Sequence, residues 1–137
     1  MSNIIGYTTG VFDMFHIGHL NILRKAREES DYLIVGVTSD ELVKLRKDKY
    51  PVIPLEERME IISHIDYVDQ VVIQDTMDKF KAWELYKFNK MFVGDDWKGS
   101  PKWNKIEKDF LNIGVEIKYF PYTKHISSSK LREKTKL

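Results

Sequence analysis

The chain has 137 residues, 42% of them hydrophobic, enough for one domain with a compact core. Its 22 basic and 21 acidic residues nearly cancel, so composition makes no case for nucleic acid or an anionic membrane as a partner. The absence of cysteine excludes disulfides, thiolate catalysis and zinc-thiolate sites. The opening MSNIIGYTTG has no basic n-region or long apolar core, and no run approaches the ~18 apolar residues of a membrane span, so a soluble, cytoplasmic protein is expected.

Ile4 to Thr8 is short and apolar and is followed by Gly10, the pattern of a buried parallel strand ending in a turn. Leu20, Leu23, Ala26 and Arg27 then recur at helical spacing, which puts His16 to His19 where strand gives way to helix. In an open α/β sheet that junction lies at the carboxyl end of the strand, where ligands bind. His16 and His19, three apart, project to one side of an opening helical turn, and Gly18 between them leaves room for a phosphate. The free N–H groups and partial positive charge of the helix start favour an anion. Packing is the competing reading of the two imidazoles. Metal ligation is disfavoured, because the H-E-x-x-H spacing and any nearby cysteine are missing.

Tyr32 to Val37 reads as the second strand, after which Ser39 and Asp40 can cap a short helix. Lys44 to Tyr50 is basic and, on composition alone, a solvated loop. Pro54 to Ile65 predicts a helix with Leu55, Met59, Ile62 and Ile65 on its apolar stripe and Arg58 off it, free to meet solvent or a ligand. Gln70 to Gln74 is the third strand, and Met77 to Asn89 a helix offering Phe80, Trp83 and Phe88 to the core. Lys90 to Val93 is the fourth strand, running into Gly94-Asp95-Asp96-Trp97, which by itself reads as a turn with a packed tryptophan. Pro101 to Leu111 is a helix ended by Asn112 and Gly114, and Val115 to Phe120 a fifth strand. Ile126, Ser127, Ser128, Ser129 and Lys130 open a last short helix whose hydroxyl and backbone donors could hold phosphates. With no repeat, low-complexity stretch or long linker, residues 1–137 are expected to form a single α/β Rossmann-like domain. Its five-stranded, mainly parallel sheet would be flanked by helices.

Gly-Val-Phe-Asp followed by His16-Ile17-Gly18-His19 resembles the cytidylyltransferase branch of the nucleotidyltransferase superfamily, and within it the bacterial glycerol-3-phosphate cytidylyltransferases. The resemblance spans essentially the whole chain: H-x-G-H, then E-x-R at Arg58, G-D-D-W at 94–97 and I-S-S-S at 126–129, in the family's order. It implies that CMP passes from CTP to an alcohol phosphate, with pyrophosphate released. His16 and His19 would stabilise charge on the α-phosphate, and Arg58 and Lys49 would contact substrate phosphates. CTP would be held by Thr9, Gly10, Val11, Phe12, Asp13, Gly18 and Arg46, with Asp95, Asp96 and Trp97 beside the base. Thr123, Ile126 and Ser127 to Ser129 would hold the departing pyrophosphate. It also implies magnesium carried on the triphosphate, a homodimer, and CDP-glycerol as a precursor of teichoic acid or another surface polymer.

The H-I-G-H letters also occur in class I aminoacyl-tRNA synthetases, but the chain is short, lacks K-M-S-K-S and has no basic excess for tRNA. A catalytically inert nucleotide-binding protein is the third class, and an ATP-using adenylyltransferase the alternative within the enzymes. Asp66 and Tyr122 stand where the family has arginine, with Lys124 and His125 nearby. An ammonium or imidazole lacks the guanidinium's bidentate fork, so phosphocholine, phosphoethanolamine and pentitol phosphates compete with glycerol 3-phosphate as acceptor.

Overall fold

A computed structural model describes residues 3–95 and 98–121. The expectations for Asp96, Trp97, Tyr122, Thr123, Lys124, His125 and Ile126 to Ser129 fall outside those residues.

Five strands form one sheet in the order β3-β2-β1-β4-β5. They are β1 (Ile5–Gly10), β2 (Tyr32–Thr38), β3 (Gln70–Gln74), β4 (Lys90–Gly94) and β5 (Glu116–Phe120). Every pairing is parallel, so the expectation of a mainly parallel sheet tightens to an all-parallel one. Parallel neighbours need a crossover, and the helices among the described residues supply it: α1 (Ile17–Glu28), α2 (Asp40–Lys47), α3 (Leu55–Ser63), α4 (Lys79–Tyr86) and α5 (Pro101–Leu111).

Successive residues of a strand face opposite sides, and the core divides accordingly. Leu33, Val35 and Val37 of β2 join Leu23 and Ala26 of α1 and Ile62 of α3 on one face, where Phe92 stacks on Phe120 at 5.3 Å. On the other, Tyr7, Ile34 and Met91 pack with Phe88, Trp103 and Phe110, and with Phe80 and Trp83 of α4. Each fully buried side chain of this size contributes roughly 1.5–3 kcal/mol of transfer free energy. The chain winds outward from β1 through β2 to β3, then returns past β1 to β4 and β5. Strand order therefore reverses beside β1, and the loops leaving β1 and β4 at their carboxyl ends diverge to opposite faces and open a crevice.

Two helices, α4 and α2, depart furthest from expectation. The α4 helix begins at Lys79 because the Asp78 carboxylate accepts from Phe80 N and Lys81 N, and it stops at Tyr86 because Lys87 takes a left-handed conformation, φ 50°. The helix capped by Ser39 extends through Lys47, absorbing half of the basic segment.

Candidate active site

The segment between β1 and α1 is sharply folded. A Cβ on Gly10 would lie 3.0 Å from the Phe12 ring, and Phe12 and Met14 both adopt left-handed φ, 54° and 49°. Phe12 turns into the core and meets the His19 ring edge-on at 5.4 Å. Asp13, also buried, accepts from Val52 N and Ile53 N, both at 2.8 Å. These two residues of the expected nucleotide-binding set thus build the turn from behind.

His16 is the N-cap of α1: its Nδ1 accepts from Gly18 N at 3.0 Å, while His19 Nδ1 accepts from His16 N at 3.2 Å. Two imidazoles thereby do the work of a Ser and Glu capping box. Because each Nδ1 is an acceptor, the proton of each neutral ring sits on Nε2, which leaves Nε2–H as the donor a ligand would meet. The rings stack with centroids 3.9 Å apart. Burial lowers the pKa of both; that of His19 falls to about 4 through burial first and His16 second, against a smaller opposing pull from Asp13.

A cavity of about 390 Å³ opens at the carboxyl edge of the sheet. Thr9, Gly10 and Val11 bring β1 into its wall, Thr38 and Gln74 bring β2 and β3, and Val93 and Gly94 bring β4. Thr38 Oγ1 donates to Gln74 Oε1 at 2.7 Å, making a neutral polar edge. His16 and His19 are outside this wall, and the Thr9–Val11 segment joins the two features.

Four cations line the cavity: Arg46 and Lys47 from α2, Lys79 from α4 and Lys102 from α5. Among the described residues the wall holds one carboxylate, Asp78, which already caps α4 through Oδ1. Lys79 donates to Met77 O at 3.1 Å and stands 5.3 Å from the Trp103 ring centre. Its pKa falls to about 8, first from burial and then from Lys102 and Arg46, partly opposed by Asp78. Lys79, Lys102, Thr38, Gln74 and Trp103 were not singled out in the sequence. Lys79 and Gln74 were reachable, since they flank the carboxyl end of β3 where ligands gather; Lys102 had no signal beyond the helix start.

Two expected site residues, Lys49 and Arg58, have other placements, as does Asp66, which stands where the family has arginine. Lys49 is exposed and outside the cavity wall, where Arg46 and Lys47 lie instead. Arg58 is only 1% exposed, so the reading that set it off the apolar stripe is corrected: it lies three residues after Leu55 and four before Ile62, in the middle of that stripe. Asp66 is exposed in the turn leading into β3, at the amino-terminal edge of the sheet, so its altered charge is remote from this cavity.

The sheet order and the switch-point cavity suit a nucleotide ligand, and the family model and relatives make the chain a nucleotidyltransferase. The chain belongs to the cytidylyltransferase-like family, whose profile matches residues 7–134. It is 34% identical to the glycerol-3-phosphate cytidylyltransferase of Bacillus subtilis (strain 168) over 134 residues, 97% of this chain and 96% of that protein. It is 52% identical to the FAD synthase of Pyrococcus abyssi over 114 residues, 82% and 77% of the two chains. Among solved structures, a lipopolysaccharide core biosynthesis protein from Thermoplasma volcanium matches with a TM-score of 0.74 at 25% identity, over 91% of this chain and 100% of that one.

Proposed function

We propose that the chain transfers CMP from CTP to a small alcohol phosphate without an ammonium group, glycerol 3-phosphate first among them, giving CDP-glycerol and pyrophosphate in the cytoplasm for surface-polymer synthesis. An acceptor phosphate oxygen attacks the α-phosphorus, the bond from that phosphorus to the bridging oxygen breaks, and pyrophosphate leaves with the bond's electron pair. Such chemistry is governed by positioning and charge stabilisation. The Nε2–H groups of His16 and His19 would meet the α-phosphate, with Ser127 to Ser129 on the leaving pyrophosphate and Asp96 at the cytosine amine. Magnesium would be carried on the triphosphate's own oxygens, where it would offset the charge of the departing pyrophosphate.

The observation that supports the acceptor class is the charge of the cavity's lining among the described residues: Arg46, Lys47, Lys79 and Lys102 against Asp78. A phosphate is attracted there, whereas a choline or ethanolamine ammonium is repelled. Pyrophosphate release measured with CTP or ATP against glycerol 3-phosphate, pentitol phosphates, phosphocholine and phosphoethanolamine tests the proposal. CTP with a polyol phosphate should give the highest kcat/KM. A preference for phosphocholine or phosphoethanolamine overturns the acceptor, and a preference for ATP overturns the nucleotide. The likeness to an FAD synthase favours a second reading, adenylyl transfer to a flavin phosphate, which ATP with FMN as a further arm decides. Sedimentation of the active protein tests the proposed homodimer.

A further inference from the structure

The Arg58 guanidinium is buried behind the cavity wall and makes four hydrogen bonds to four residues in three segments. Nε donates to Ile53 O at 2.8 Å, Nη1 to Val11 O at 2.8 Å and Thr38 O at 2.7 Å, and Nη2 to the Asp40 carboxylate. That leaves one of its five N–H groups outside these bonds. Val11 and Thr38 both line the cavity, so the carbonyls that Arg58 holds belong to the wall an anion would face. Asp40 completes the knot by accepting from Leu55 N at 3.3 Å, at the start of the helix that carries Arg58. Asp13 adds a second stitch between the same two loops through Val52 N and Ile53 N. The turn so held contains the left-handed Phe12 and Met14 and runs directly into the cap made by His16. Each left-handed non-glycine residue is strained by about 1–3 kcal/mol and persists only where its surroundings over-determine it.

We infer that Arg58 is a positioning residue, not a phosphate ligand: with Asp40 and Asp13 it clamps the β1–α1 turn to the loop before α3 and holds the Val11 and Thr38 carbonyls away from the bound anion. Its function in the reaction rests on the proposed cytidylyl transfer; its geometry does not. Three of its donors are spent on carbonyls and a fourth on the Asp40 carboxylate that pairs its charge, so the guanidinium fixes the wall geometrically and needs no reorganisation when a ligand arrives. A lysine at this position keeps the charge but cannot reach four acceptors in four directions.

Two measurements test the clamp. In the free protein the Arg58 Nε–H, identified in nitrogen-15 spectra by replacing the other arginines one at a time, should exchange slowly with water and keep its position when CTP is added. Rapid exchange, or a large displacement by CTP, overturns the inference. The second compares Asp40→Asn, which leaves the Arg58 charge in place, with Arg58→Lys. Both should lower kcat by ~10-fold or more with the CTP dissociation constant within ~3-fold of the parent, and the double variant should be little worse than either alone. If Arg58 is a phosphate ligand, Arg58→Lys instead weakens CTP binding more than ~10-fold while Asp40→Asn leaves kcat unchanged. Should Arg58→Lys fail to fold, Asp40→Asn and the Nε–H measurement still decide. If the parent binds neither CTP nor ATP, the proposed function falls, and exchange of the Nε–H in the free protein still judges the clamp.

Discussion

Histidine is an uncommon helix cap, and at position 16 two duties share one ring: Nδ1 holds the helix start while Nε2–H is left for substrate. Asparagine is a strong cap without an equivalent of Nε2–H. His16→Asn should therefore melt within a few degrees of the parent yet lose ~100-fold or more in kcat, whereas His16→Ala should lose a similar factor and in addition about 1 kcal/mol of stability. Thermal melts beside steady-state kinetics separate the duties, and activity of His16→Asn within a few-fold of the parent would remove the ring from the chemistry. His19 adds a dependence on acidity. Its folded pKa, about 4, lies below the ordinary 6.5, so between those values the unfolded chain binds the proton that the folded chain rejects. Stability should fall as pH drops from 6.5 toward 4, and His19 should contribute no slope above that window. Denaturation midpoints across the window should show a shallower slope in His19→Asn; an identical slope would assign the effect to other groups.

The elements were legible wherever the residues at their ends decide them locally. Gln70–Gln74 and Pro101–Leu111 have the bounds the sequence predicts, the latter because Pro101 and the Ser100 cap fix its start. The α4 helix is overdrawn at its start because Asp78 suits the first turn of a helix as well as its cap, and only its geometry reveals which. Arg58 was misplaced for a different reason: burying an arginine needs acceptors from Val11, Thr38, Asp40 and Ile53, which local periodicity does not bring together. The start of α4 also has a measurable signature, since the Asp78 cap presents Lys79 to the cavity as the first helical residue. Its ammonium is charged below about pH 8 and lost as pH rises through that value. Acceptor KM should then climb above pH 8, and Lys79→Met should raise it on the order of 10-fold at neutral pH while flattening that climb. A Lys79→Met enzyme with the parent's acceptor KM would exclude the residue from acceptor binding.

For the molecule as a whole, a sequence of alternating strands and helices announced the architecture, but the order β3-β2-β1-β4-β5 is a three-dimensional fact. It sends α1 and α3 to one face and α4 and α5 to the other. This explains why the histidine motif could be read as a site while the cationic side of the cavity could not: the former is one continuous stretch, the latter is gathered from α2, α4 and α5.

The wall of that gathered cavity contains a chromophore. Trp103 is 6% exposed, with the Lys79 ammonium 5.3 Å from its ring centre, and indole emission responds both to a nearby charge and to the departure of water. If the acceptor binds there as proposed, its phosphate would draw the ammonium toward itself and fill the cavity, and occupancy of the cavity would be read as light. In a Trp83→Phe, Trp97→Phe background, glycerol 3-phosphate should change the Trp103 emission saturably and without turnover, and Lys79→Met should diminish the response. A signal indifferent to the acceptor would place the acceptor elsewhere.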